Sequence, residues 1–169
     1  MKKNLILTGM MGVGKSTIGQ ELASKLDLQF KDVDKIIEEK LSLSILDIFE
    51  KKGEKFFREI EEKETLHLIQ DRNVVIALGG GAFMNERIRE SIKKLCFSVW
   101  LDLDPKHLFS RIKTNKRRPL LDSKSSEQDV KNLYEKRKKT YSAADHKVDC
   151  NFKNKDDIVT EILKIYESI

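Results

Sequence analysis

Cysteine is scarce in this chain of 169 residues, with only Cys96 and Cys150 present. The two stand far apart, with no Cys-x-x-Cys pair and no zinc-ligand spacing, so a structural zinc centre is not expected. With no export signal they read as buried thiols in a reducing cytosol, and a cytoplasmic protein is expected. His67, His107 and His146 form no ligand pattern either, and read as surface or packing residues. No apolar run approaches the length of a membrane span, so no membrane partner is expected. The stretch from Met1 to Gly9 begins basic and turns apolar, as a secretion signal does. Its apolar run is very short and continues into a glycine-rich loop, so it reads as a first strand. There is no internal repeat and no linker-like stretch. A single domain over 1–169 is expected, and 169 residues suffice for one real core. No coiled-coil seam or long apolar face is visible, and a monomer is expected.

What the chain has in quantity is charge. Lys and Arg number 33 against 28 Asp and Glu, for a net charge of +5 and a pI of about 9.1. The basic residues are interleaved with acidic ones, and no basic stretch carries the aromatics of a nucleic-acid-binding signature. No nucleic-acid partner is expected. The densest basic cluster is Lys113, Lys116, Arg117 and Arg118, with Lys124 nearby, and it suits a polyphosphate as well as a nucleic acid.

Gly9-Met10-Met11-Gly12-Val13-Gly14-Lys15-Ser16-Thr17 fits the phosphate-binding pattern G-x-x-x-x-G-K-[ST] at every fixed position. Asn4 to Thr8 before it reads as a buried strand. Ile18 to Leu26 after it reads as a helix, with Ile18, Leu22, Ala23 and Leu26 on one face. Glycines let the backbone wrap an anion, and the loop amides and helix N-terminus point at it. Lys15 can reach the β- and γ-phosphates, and Ser16 can hold magnesium. A turn that merely joins strand to helix is the plain alternative, and the agreement of strand, loop and helix disfavours it.

Further along, short β-rich runs alternate with amphipathic helices. Strands are expected at Gln29 to Val33, Val74 to Leu78, Cys96 to Asp102 and Lys147 to Asn151. Helices are expected from Ile36, from Ile45 to about Lys51 behind a Ser44 cap, and from Glu54 to Gln70 after a break at Gly53. In that last helix Phe57, Ile60 and His67 or Leu68 face inward. Others run from an Asn85 cap to Lys94, from Pro105 to near Arg111 or Lys113, from Glu127 to Ala144 and from Asp156 to Ile169. Thr114 to Ser126 is polar, basic and weakly patterned, contains Pro119, and reads as a mobile loop. Strands separated by helices imply an α/β fold, a three-layer αβα sandwich around a five-stranded parallel sheet with right-handed crossovers. Ligands in such folds bind beyond the C-terminal ends of the strands. That rule gathers the phosphate loop, Asp32 and Asp34, and Gly79-Gly80-Gly81.

Phosphoryl transfer needs charge neutralisation and alignment, so a carboxylate near magnesium and a group for the acceptor hydroxyl should accompany the loop. Asp32-Val33-Asp34 supplies two carboxylates. Asp34 as a helix cap is the alternative, and the phosphate loop tips the reading toward function. The third strand ends without an acidic residue. Its three glycines cost chain entropy, which suggests close approach of backbone to ligand rather than a simple turn.

Taken together these residues resemble the shikimate kinase family. The likeness covers the phosphate loop, Asp32-x-Asp34, Ile48-Phe49-Glu50, Gly53-Glu54-x-x-Phe57-Arg58-x-x-Glu61, Gly79-Gly80-Gly81, Arg118-Pro119-Leu120-Leu121 and Arg137-x-x-x-Tyr141, in family order and spacing. The resemblance implies a P-loop kinase fold with substrate-binding helices at about 34–63 and a lid at about 113–126. It implies transfer of the γ-phosphoryl of ATP to the 3-hydroxyl of shikimate, on the route to chorismate and aromatic amino acids. ATP and shikimate are then the partners, with one Mg2+ per active site. Gly12, Val13, Gly14, Lys15, Ser16 and Thr17 would bind the phosphates, Ser16 would ligate magnesium, and Asp32 would assist through water. Asp34 would orient the attacking hydroxyl or accept its proton. Arg58, Arg137 and the Gly79-Gly80-Gly81 region would hold the substrate carboxylate, with Glu61 fixing Arg58 and Phe49 and Phe57 walling the ring. Arg118 would neutralise charge on the moving phosphoryl, and Arg111 would lie against adenine. Arg117 competes with Arg118, and the position before Pro119 favours Arg118. A small anion with several hydroxyls does need an arginine clamp and a proton acceptor, so the assignment also makes chemical sense. Surface ion pairing of Arg58 and a solvated charged face around Arg137 are the plain alternatives.

Three rivals stand beside this reading. A gluconate or nucleoside monophosphate kinase would need a different acceptor clamp. A GTPase is suggested by Asn154-Lys155-Asp156-Asp157, which fits N-K-x-D, but a helix cap accounts for it as well and the Asp-x-x-Gly motif is missing. An inactive ATP-binding protein would have to keep every residue expected at the reacting centre.

Overall fold

The computed structural model describes residues 3–113, 121 and 124–169. Arg117, Arg118 and most of the expected lid lie outside the described residues. Five strands form one parallel sheet: β1 (Asn4–Thr8), β2 (Gln29–Asp32), β3 (Val74–Ala77), β4 (Cys96–Asp102) and β5 (His146–Asp149), in the order β2-β3-β1-β4-β5. Every residue of β1 and β3 is buried, as expected for central strands covered on both faces. Asn4 ties the starts of these strands together, accepting from the Val74 amide at 3.2 Å. The strand order reverses at β1, which has β3 on one side and β4 on the other. That reversal opens a crevice above the C-terminal ends of β1 and β3, the usual place for a ligand in an open parallel sheet.

Among the described residues seven α-helices cover the faces: α1 (Lys15–Leu26), α2 (Val33–Leu41), α3 (Ile45–Leu68), α4 (Glu86–Leu95), α5 (Pro105–Lys113), α6 (Glu127–Tyr141) and α7 (Lys155–Glu167). Several boundaries differ from the expectation, each for a local reason. α1 begins at Lys15, not Ile18, because Gly14 takes the left-handed conformation (φ 105°) and turns the phosphate loop straight into the helix. β2 stops at Asp32 because that residue caps α2, accepting from the Lys35 amide at 3.3 Å. The helix therefore starts at Val33, and Asp34 lies in its first turn rather than at its cap. Ser44 caps α3 as expected, accepting from the Asp47 amide at 3.0 Å. Gly53 (φ 84°, ψ 165°) is non-helical and breaks α3 into two helical stretches, as expected. Leu68, not His67, is the inward residue near its end.

Asn154 accepts from the Asp157 amide at 2.9 Å, and Asp157 accepts from the Asn154 amide at 3.3 Å. This is a reciprocal capping box at the start of α7, which accounts for the N-K-x-D match without a guanine base. Cys96 and Cys150 are buried free thiols, both pushed up to about 12 by burial. Among the described residues no helix is long and apolar enough to cross a membrane.

Candidate active site

The phosphate loop leaves the C-terminal end of β1 at the centre of the sheet. Lys15 is 8% exposed, and its ammonium donates to the carbonyls of Gly9 at 2.8 Å and Met10 at 2.9 Å. The side chain is thus folded over the loop that it serves. Ser16, in the first turn of α1, hydrogen-bonds the Asp32 carboxylate at the end of β2. One hydroxyl and one carboxylate meet here beside a helix N-terminus. Hard oxygen donors of this kind suit a magnesium ion, which takes few protein ligands and fills the rest with water and phosphate oxygens. Arg111, at the end of α5, donates to the Val13 carbonyl at 3.1 Å and so reaches the outer side of the loop. A cleft of about 190 Å³ runs between Lys15, Ser16, Thr17, Asp32, Asp34 and Gly80.

The three glycines after β3 form the opposite wall, and a side chain at any of them would crowd its neighbours. A Cβ on Gly79 would stand 2.6 Å from Asp34 Oδ1 and 2.7 Å from Glu61 Oε1. A Cβ on Gly81 would stand 2.5 Å from Arg58 Nη1, and one on Gly80 would be 3.3 Å from the Met11 amide and 3.4 Å from Arg137 Nη1. Four ionisable side chains from α2, α3 and α6 therefore converge on one short backbone segment. The neighbours of these glycines within the protein are its own site residues.

Within this group Arg58 Nη1 donates to Glu61 Oε2 at 2.7 Å, one helical turn away, and Glu54 pairs with the outer edge at 3.3 Å. The guanidinium lies 5.2 Å from the Phe57 ring centre and 6.0 Å from that of Phe49, whose centroids are 4.8 Å apart. Burial raises the Glu61 carboxyl above the ordinary range, against the pull of Arg58 and Arg137. Burial also opposes the Arg58 charge, but Glu61 and Glu54 more than offset it. Arg137 on α6 is 6% exposed, so a solvated charged face is not its role. Glu61 Oε1 and Arg137 Nη1 are both buried without a hydrogen-bond partner among the described residues. Such atoms are costly unless something polar meets them in the working complex.

All the expected residues within the described part thus gather around one crevice: Gly12 to Thr17, Asp32, Asp34, Phe49, Phe57, Arg58, Glu61, Gly79 to Gly81, Arg111 and Arg137. Arg118 lies outside the described residues. One participant had no role assigned from sequence. Tyr141 donates to the Gly80 carbonyl at 2.5 Å from a fully buried position. Its place one turn after Arg137 was visible, but its hydroxyl's partner is 61 residues away in the chain.

The shikimate kinase family model matches residues 11–167. The chain belongs to the shikimate kinase family. The shikimate kinase of Sulfurihydrogenibium sp. is 42% identical over 161 residues, covering 95% of this chain and 96% of that protein. Among solved structures, shikimate kinase from Acinetobacter baumannii in complex with shikimate superposes with a TM-score of 0.94 at 34% identity, covering 99% of this chain and 94% of that one. The shikimate kinase of Aquifex aeolicus gives a TM-score of 0.86 at 40% identity, covering 98% and 96%. As a shikimate kinase family member the chain is an ATP-dependent phosphotransferase of α/β P-loop type. Gluconate-kinase and GTPase readings fall away with that membership.

Proposed function

We propose that the protein transfers the γ-phosphoryl group of ATP to the 3-hydroxyl of shikimate, yielding shikimate 3-phosphate and ADP. The supporting observation is the convergence of Asp34, Arg58, Glu61 and Arg137 on three glycines beside the phosphate loop. One wall of the crevice is built for polyphosphate and the other for a small hydroxylated anion. On this reading the amides of Gly12 to Thr17 and the Lys15 ammonium hold the phosphates. Ser16 would hold Mg2+ directly and Asp32 would assist through water, and the ion when bound would neutralise charge on the β- and γ-phosphates. Arg137 and Arg58 grip the acceptor carboxylate, as guanidinium groups do bidentately. Glu61 holds Arg58 in place, and Phe49 and Phe57 flank the ring. Asp34 meets the reacting hydroxyl and takes or directs its proton. Arg111 borders the nucleotide, and Arg118, within a lid at 113–126, meets the transferring phosphoryl. The helices at 34–63 form the acceptor side. The protein acts as a cytoplasmic monomer, with neither nucleic acid nor membrane as partner.

Phosphorus NMR of the purified protein with ATP, Mg2+ and shikimate tests this directly. A new phosphomonoester signal with shikimate, matched by ADP and missing with gluconate or nucleoside monophosphates, is the expected result. ATP binding without transfer to shikimate would overturn the acceptor assignment.

Arg58→Ala separates the two walls. It strands Glu61, which is 2% exposed, beside Arg137 alone. Removing one partner of a buried charge pair costs about 2–5 kcal/mol, and the 29% exposure of Arg58 places this case near the lower end. The KM for shikimate should rise about 30-fold, with the KM for ATP nearly unchanged. An unchanged shikimate KM would remove Arg58 from the clamp.

A further inference from the structure

α6 presents Tyr134, Arg137 and Tyr141 on one buried face, at 7%, 6% and 0% exposure. Their spacing of three and four residues stacks them along a single side of the helix. Both phenols reach across to the sheet. Tyr134 donates to Asp102 Oδ1 at 2.8 Å, at the end of β4. Tyr141 donates to the Gly80 carbonyl at 2.5 Å, and its ring stacks on Trp100 of β4 with centroids 5.9 Å apart and planes 27° apart. α6 is thereby pinned at two points, with Arg137 between them.

The Tyr141 pin has a particular consequence. Gly80 lies between the Met11 amide of the phosphate loop and the Arg137 guanidinium, at 3.3 and 3.4 Å from where its Cβ would be. A single glycine thus spaces the phosphate-binding wall from the acceptor clamp, and the Tyr141 phenol donates to its carbonyl. We propose that Tyr141 is a positioning residue that sets the distance between Arg137 and the phosphate loop, and so tunes acceptor affinity. Burial pushes the Tyr141 phenol up to about 12, with Arg137 pulling the other way, so it stays a donor at working pH. The inference rests on the reading of Arg137 as part of the carboxylate clamp.

The test compares Tyr141→Phe, Tyr134→Phe and Arg137→Ala with wild type, by steady-state kinetics, calorimetric shikimate binding and thermal melting. Tyr141→Phe keeps the stacked ring and removes only the donor. It should raise both KM and Kd for shikimate about tenfold, while the KM for ATP stays within about twofold. Tyr134→Phe should lower the melting temperature and leave the ratio of the two KM values at its wild-type level. Gly80→Ala, which crowds the same contact, should reproduce the shikimate-selective rise, and it carries the test if Tyr141→Phe does not fold. A Tyr141→Phe enzyme that melts earlier but keeps the wild-type KM ratio would overturn the proposal and leave a packing role. Arg137→Ala with unchanged shikimate binding would instead overturn the clamp itself. Weak binding in Arg137→Ala with normal binding in Tyr141→Phe would sink only the positioning role.

Discussion

Asp34→Asn is expected to lower turnover with shikimate by about 10²- to 10⁴-fold, the usual worth of a positioned proton acceptor. The substitution keeps size and shape but removes the charge and replaces one acceptor oxygen by a donor. The reasons to expect the loss to be chemical rather than structural lie in the surroundings of the residue. Asp32, not Asp34, caps α2, so the helix start survives the change. Asp34 Oδ1 and Glu61 Oε1 both approach the point a Gly79 Cβ would occupy, and an asparagine of the same size fits that space. The domain should stay folded, and ATP affinity should stay unchanged. Turnover measured by coupled ADP release, with melting temperature measured in parallel, checks both halves. Near-normal turnover would dismiss Asp34 from proton handling and from orienting the hydroxyl.

Lys15→Ala is expected to cut kcat by about 10²- to 10³-fold or more, since a preorganised charge aimed at the transferring phosphoryl acts in a partly dry site. Unlike Asp34, this residue also supports its own loop. Its ammonium satisfies the Gly9 and Met10 carbonyls from an 8% exposed position. Leaving buried carbonyls without a donor costs about 1–3 kcal/mol. At this chain length each kcal/mol lowers the melting temperature by about 2–4 °C. The two variants therefore differ in kind, with Lys15→Ala slower and less stable and Asp34→Asn slower alone. A Lys15→Ala protein with wild-type kcat would remove the lysine from phosphate chemistry.

Much of this arrangement is legible in the sequence alone, because its signals are local. The phosphate loop, the buried run of β1 and the helix behind it lie within some twenty consecutive residues, and each carries its own pattern. Ser44 and Asn85 were readable as caps, since a cap bonds an amide three residues on. The pairing of Arg58 with Glu61 was readable because one helical turn separates them. Boundaries failed where a residue served two neighbours. Asp32 ends a strand, caps a helix and meets Ser16, and only the first of these shows in hydrophobic patterning.

The sequence by itself determined the fold class, the phosphate loop, the carboxylates after β2 and the membership of Arg58 and Glu61 in one helical face. These depend on bonding and periodicity over a few residues. Only the tertiary structure decided why three glycines stand together, how deep Arg137 lies and what the Tyr141 hydroxyl holds. Asp34, Glu61, Arg58 and Arg137 come from three helices and meet at Gly79-Gly80-Gly81 because the parallel sheet brings the end of β3 beside the end of β1. Contacts across such distances in sequence follow from how whole elements pack, and no local pattern encodes them.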